Sequence, residues 1–237
     1  MKRNRKAGRA EDMPQRIVLS EQSIGLTSVP NAREPGGYIN TDGLRIKRGK
    51  LIRSGRLFAI SSEDKRILSE RYRVGIVIDL RTPDEISERP DSILFGADRY
   101  TLPVMPDKDE SSLSAAKYLK MMFGDTAQKT YRRFFELVLS ADKTCSVLFH
   151  GTFGKDRTGV AAALLLSLLD IPEETIIEDH LLSNKALEPP TGAVYAHLLE
   201  YAFQTAKVEY GSVTEYLKNE CGVTDKNIAD IKQKYLE

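Results

Sequence analysis

With 35 basic and 34 acidic residues among 237, the chain carries a formal charge of +1, so no global field draws it to nucleic acid. Its length allows one α/β domain with a well-buried core. Two cysteines give no disulfide framework, which makes a reducing, cytoplasmic interior the expected compartment, and no apolar stretch is long enough for a transmembrane helix.

The first nine positions contain Lys2, Arg3, Arg5, Lys6 and Arg9 and no acid, leaving 30 basic and 34 acidic residues in the remainder. Residues 1–13 read as a disordered, solvated basic tail, with a surface-binding arm as the alternative. No apolar core follows it, so it does not read as an ordinary signal peptide. Residues 14–237 read as a single domain without internal repeats or long linkers.

In chain order, Leu44 to Leu57 divides into two short segments around Arg48-Gly49, which predicts a hairpin. Ser62 to Tyr72 predicts a charged helix holding Ile67 and Leu68. Val74-Gly75-Ile76-Val77-Ile78-Asp79-Leu80 is the clearest buried strand. Residues 107–129 are more polar and irregular; they read as a surface helix pair, with a lid over a pocket as the alternative. Tyr131, Phe134, Phe135, Val138 and Leu139 recur at helical spacing and belong to the core. Cys145-Ser146-Val147-Leu148-Phe149 predicts a second buried strand, parallel to the first. Gly159 to Leu169 is apolar all round and predicts a buried helix. Leu187 to Thr191, with its paired prolines, predicts a loop. Helices are expected near 192–209, 213–220 and 225–236, the last two capped by Ser212 and Thr224.

The segment His150-Gly151-Thr152-Phe153-Gly154-Lys155-Asp156-Arg157-Thr158-Gly159 joins the second strand to the buried helix. A strand, a glycine-containing turn and a helix N-terminus form an anion site, because unpaired N–H groups face the turn and the helix dipole adds roughly half a positive charge. Arg157 supplies a planar fork for two oxyanion oxygens, and Lys155 a second cation. A Walker-type nucleotide loop is ruled out: only two residues separate Gly151 from Gly154, and Asp156 follows the lysine.

The segment resembles the signature loop of the protein-tyrosine phosphatase superfamily, in particular the bacterial tyrosine and dual-specificity branch, whose loop reads His-Cys-Thr-Ala-Gly-Lys-Asp-Arg-Thr-Gly. Gly151 and Phe153 depart from it; the other eight positions match. Asn31-Ala32-Arg33-Glu34-Pro35-Gly36-Gly37-Tyr38, Arg53-Ser54-Gly55, Asp79-Leu80-Arg81 and Gly211-Ser212 through Gly222-Val223 resemble further family segments, so the likeness runs from about residue 28 to the end. It implies an α/β fold with a central, mostly parallel sheet flanked by helices, and no cofactor or metal. A phosphorylated protein, peptide or phosphoinositide is the implied partner. It also leaves export as a bacterial effector open beside the cytoplasmic expectation.

In the family the cysteine attacks phosphorus as a thiolate. The resemblance makes Arg157 the ligand of the equatorial oxygens and Thr158 the hydrogen-bond partner of the sulfur. It makes His150 a brace for the loop, with Asp79 and Arg81 beside it, and Thr152, Phe153, Gly154 and Lys155 the phosphate cradle. Asp156 is either the general acid or the partner of a nearby arginine. Phe153 either meets an aryl ring or narrows the pocket. Gly151 stands where the nucleophile would be and cannot attack. Loss of such a group costs on the order of 10⁶-fold in rate. Three readings follow: a phosphomonoester-binding protein without turnover, whether a natural pseudophosphatase or a trapping variant of an active parent; a hydrolase with another nucleophile; or an interaction protein with a vestigial pocket.

Overall fold

The computed structural model describes residues 17–108, 113–187 and 192–237; the expected tail at 1–13 and residues 188–191 of the expected loop lie outside these. The elements are α1 (Leu19–Gln22), β1 (Leu51–Ser54), α2 (Ser62–Arg66) running into a π-helical turn (Ile67–Arg71), β2 (Val74–Asp79), α3 (Pro83–Glu88) and β3 (Asp98–Thr101). They continue with α4 (Ala115–Phe123), α5 (Asp125–Ser140), β4 (Ser146–His150), α6 (Asp156–Leu168), α7 (Glu173–Leu181), α8 (Ser183–Ala186), α9 (Ala196–Tyr210), α10 (Val213–Cys221) and α11 (Asp225–Tyr235). The strands form one sheet, in the order β1-β4-β2-β3, with every pair parallel.

Alternation along the strands divides the interior. Leu51, Ile76, Ile78, Val147 and Phe149 enter a large cluster with the apolar residues of α4–α7 and α9–α11. Ile52, Val74, Val77 and Leu148 enter a smaller one beneath α2 and the π turn. Successive side chains of a strand point to opposite faces, so apolar runs on β2 and β4 are buried on both sides, as in a parallel sheet. Helix α6 is buried along nearly its whole length, which accounts for its lack of a polar stripe.

The hairpin expected over Leu44 to Leu57 does not form. Gly49 does make a turn at φ 69°, but Leu51–Ser54 pairs in parallel with β4, Leu51 opposite Val147 and Ser54 opposite His150. The preceding segment leaves in another direction, with Arg45 bridging Ile39 and Ile46 bridging Leu236. Leu51 and Ile52 each have an apolar cluster to enter on opposite faces, which an isolated two-stranded ribbon does not provide.

Within residues 107–129 a helix pair is present, and α4 is amphipathic: Tyr118, Met121 and Met122 are buried while Ala116 and Lys120 are exposed. Helix α9 begins at Ala196, later than expected. Ser212 and Thr224 cap α10 and α11, each accepting from the N–H three residues on. The register aligns Ser54 and Asp79 with His150, bringing three strand ends to one edge. The 151–158 loop leaves from that edge, at the carboxyl ends of parallel strands, where open α/β sheets place their ligands.

Candidate functional site

The loop's shape is fixed from behind. Arg56 donates to the Thr152 carbonyl from its backbone N–H and from Nη1, both at 3.2 Å. Asn31 Nδ2 donates to the carbonyls of Phe153 (3.2 Å) and Gly154 (2.8 Å). Arg53 Nη2 donates to those of Gly154 (3.0 Å) and Lys155 (3.4 Å). In a trans peptide the C=O and the next N–H point in opposite directions. Four carbonyls drawn toward the scaffold therefore turn the N–H groups of residues 153–156 the other way, into the loop. Gly154 makes the tightest part of this curve at φ 68°, and a Cβ there would lie 2.5 Å from the Ser54 carbonyl.

A buried ionic cluster holds the tethering arginine. Arg33 Nε meets Asp179 Oδ1 at 3.1 Å, Arg53 Nη1 pairs with Asp179 Oδ2, and Tyr38 Oη donates to Asp179 Oδ1 at 3.0 Å. Burial tends to raise the Asp179 carboxyl, but the two guanidinium charges outweigh it and hold it at about 2. Asn31, Arg33 and Arg53 belong to sequence segments already noted; Asp179, 126 residues beyond Arg53, carries no local signal.

Helix α6 starts at the loop without a side-chain cap, so its N-terminal dipole faces the pocket unneutralised by its own cap residue. The pocket at the loop, about 40 Å³, is lined by residues 151–158. At its base lies Gly151. Thr158 Oγ1 is fully buried, has no hydrogen-bond partner among the described residues, and would lie 3.1 Å from a Cβ at position 151. A buried hydroxyl without a partner is costly, and this one faces the space that a side chain at 151 would fill.

Both loop cations have carboxylate neighbours, which sequence reading did not anticipate. Arg157 Nη2 donates to Glu85 Oε1 at 2.7 Å and Nη1 to Oε2, with the pair mostly buried. Glu85 also accepts from Thr152 Oγ1 and from the Thr82 N–H. Burial would raise its carboxyl, but the Arg157 hydrogen bonds and charge, with those from Thr152 and Thr82, lower it to about 2. Arg157 Nη2 also donates to Thr152 Oγ1 at 3.4 Å; guanidinium has five N–H donors, so the contacts to Glu85 and Thr152 leave donors for another oxyanion. Lys155 Nζ donates to the Gly192 carbonyl at 2.9 Å and lies 3.8 Å from Asp156 Oδ2. Among the described residues Asp156 pairs with no arginine: its Oδ1 accepts from Tyr118 Oη at 3.1 Å. The guanidinium of Arg56 lies 5.2 Å over the Phe153 ring.

Behind the loop, His150 Nδ1 lies 3.3 Å from the Gly151 carbonyl oxygen, and Nε2 lies 2.9 Å from Asp91 Oδ2 without the alignment of a hydrogen bond. Arg81 Nη2 meets Asp79 at 2.7 Å and Asp91 at 2.9 Å, and Arg99 Nη2 meets the same two carboxylates at 2.9 and 3.3 Å. Asp79, Asp91 and His150 are close enough to hold a cation, but two guanidiniums already balance the two carboxylates, and a divalent ion would add unpaired charge. The cluster is a base for the loop; Arg81 is fully buried in it and aims at Asp79 and Asp91.

A model of the tyrosine phosphatase family matches residues 24–237. The chain belongs to this family. It is 26% identical over 252 residues to a Cupriavidus necator protein named by inference as a tyrosine-protein phosphatase, covering 92% of this chain and 90% of the other. A tyrosine-protein phosphatase of Nostoc commune is 31% identical over 60% of this chain and 51% of its own length. The triple specificity protein phosphatase PtpB of Mycobacterium tuberculosis is 26% identical over 68% of this chain and 70% of its own. These relatives agree with the bacterial tyrosine and dual-specificity branch. Among the described residues no helix is long and apolar enough to cross a membrane.

Proposed function

We propose that this tyrosine phosphatase-family chain binds phosphomonoesters in the 151–158 loop and does not turn them over by the family's covalent route. The ligand is a phosphorylated protein, peptide or phosphoinositide. The observation that carries the reading is the buried Thr158 hydroxyl facing the space above Gly151. It supports a loop shaped around a side chain that this sequence lacks. Neither thiol of the chain replaces it. Cys145 precedes β4 and so lies at the far end of the strand from the loop, against Gly75. Cys221 lies in α10 beside Tyr216, its thiol raised to about 11 by burial.

In this reading Arg157 and the inward N–H groups hold the phosphoryl oxygens, and Asp156 at the pocket wall is the acid that a restored nucleophile would need. Without the thiolate, a dianionic phosphate meets one negative charge fewer, so binding survives the loss of chemistry. The test is turnover of para-nitrophenyl phosphate by the chain beside its Gly151→Cys form. The chain should show no burst, and the revertant a rate larger by at least about 10³-fold with an acidic optimum. Activity within tenfold of the revertant would refute the reading and point to water or another group as nucleophile.

A further inference from the structure

Tyr118 of α4 and His180 of α7 lie outside the loop, yet one hydroxyl joins them to it. Tyr118 Oη is 3.1 Å from Asp156 Oδ1 and 2.8 Å from His180 Nε2. Tyr118 is 0% and His180 1% exposed, so no water competes for these contacts. His180 Nδ1 has no hydrogen-bond partner among the described residues and abuts Gly159, where a Cβ would collide with the ring.

The order of the protons follows from these contacts. The groups around His180 are Arg53, Arg33, Lys155 and Asp179; burial first, then the excess of cations, opposes protonation of the ring. A neutral imidazole has one N–H. On Nδ1 it would be a buried donor with nothing to accept it, the costlier arrangement. On Nε2 it donates to Tyr118 Oη, and the tyrosine hydrogen is then directed to Asp156 Oδ1. Oδ1 is thereby a fixed acceptor. Oδ2, which lies 3.8 Å from Lys155 Nζ, is the only oxygen of Asp156 left to carry an exchangeable proton. Asp156 lines both the loop pocket and an adjoining cleft of about 120 Å³ shared with Arg157, Glu85 and Met121.

We propose that Tyr118 and His180 are positioning residues for Asp156, fixing its rotamer and confining its transferable proton to Oδ2. The inference rests on the reading of Asp156 as general acid of the Gly151→Cys form. There the Cys sulfur–phosphorus bond forms, the ester P–O bond breaks, and the departing oxygen takes the proton from Oδ2. His180 and Tyr118 keep their protons throughout.

Two measurements test it. In the chain as it stands, ¹⁵N spectra of the histidine rings, assigned with His180→Gln, should show His180 as the Nε2–H tautomer without titration from about pH 5 to about pH 8. An Nδ1–H tautomer or an imidazolium in that range overturns the inference. In the Gly151→Cys form, rates are compared across aryl phosphates of rising leaving-group pKa. Tyr118→Phe should slow the poorest leaving group about 10- to 100-fold and the best less than about threefold, because a misplaced acid matters only where protonation is needed. His180→Gln still offers an N–H to the tyrosine and should retain most of the rate, whereas His180→Leu should behave like Tyr118→Phe. Equal losses across all leaving groups would mean a purely structural role and overturn the inference. If Asp156→Asn steepens the leaving-group dependence and Tyr118→Phe does not, the inference alone fails. If Asp156→Asn leaves the dependence unchanged, the reading of Asp156 as acid fails and takes the inference with it.

Discussion

Glu85 grips Arg157 end-on with both carboxylate oxygens while the cap residue of its own helix, Thr82, donates to the same carboxylate. The start of α3 is thus joined to the start of α6 through one side chain, and the guanidinium plane is set before any ligand arrives. Glu85→Ala removes charge-assisted hydrogen bonds worth about 1.5–3 kcal/mol each at most and breaks the capping box of α3. A loss of about 2–4 kcal/mol is expected in urea unfolding, together with weaker oxyanion binding. Unchanged stability would mean the pair is solvated in solution.

Arg157→Ala should weaken a phosphotyrosine peptide or vanadate by about 10- to 100-fold, the equivalent of losing one bidentate charged contact. Arg157→Lys should not rescue it, since a point charge reproduces neither the fork nor the Glu85 grip. Lys155→Ala should cost less, because that side chain is directed to the Gly192 carbonyl. Isothermal titration measures all three, and equal affinity for wild type and Arg157→Ala would place the binding site elsewhere.

Three glycines around one loop should respond differently to a side chain. At Gly154, φ is 68° and a Cβ lies 2.5 Å from the Ser54 carbonyl, so Gly154→Ala should cost about 2–5 kcal/mol from backbone strain and overpacking. At Gly159 the obstacle is the His180 ring, and Gly159→Ala should also destabilise. At Gly151 only Thr158 Oγ1 is near among the described residues, at 3.1 Å, so Gly151→Cys should stay within about 1 kcal/mol of wild type. Melting curves of the three variants check the order.

Acid should unfold the protein in two stages. The buried His180 is held at about 3 against an ordinary 6.5, so the unfolded chain takes up a proton that the fold refuses. That contribution is full above 6.5 and is lost as pH falls toward 3. Asp179 and Glu85 are held at about 2, below their ordinary 3.8 and 4.5. Their contribution is present above those ordinary values and disappears as pH falls through them toward 2. Unfolding free energy should therefore decline gently below 6.5 and steeply below 4.5. His180→Gln should flatten the first limb and Asp179→Asn the second; a wild-type curve flat down to about pH 4 would contradict the His180 assignment, and one without a steeper fall below that would contradict the Asp179 assignment.

The strand–loop–helix unit around residues 145–169 was legible because its signals are local: an apolar run, a glycine turn, then an unbroken apolar helix. The partners that hold the loop were not. Thr82 and Glu85 form the capping box that opens α3, but nothing in that local pattern says that its glutamate reaches Arg157, 72 residues on. Asp179, His180 and Tyr118 sit among helical residues whose neighbours decide their meaning. The hairpin around Arg48-Gly49 misled for a related reason: four residues suit a ribbon or a parallel strand equally, and only the vacant place beside β4 chooses.

Asn31 and Arg53 grip the loop by its carbonyls, and among the described residues no hydrogen bond joins either to the side chain of Asp156 or Arg157. The contour of the pocket and its reactivity therefore have separate custodians. An oxyanion meets a surface already in its final form, so capture should be a single-step encounter limited by diffusion and orientation, with no slow isomerisation after contact. Under the proposed function, the same separation lets a change at position 151 switch the protein between reader and eraser of a phosphate mark without altering the contour by which the mark is recognised.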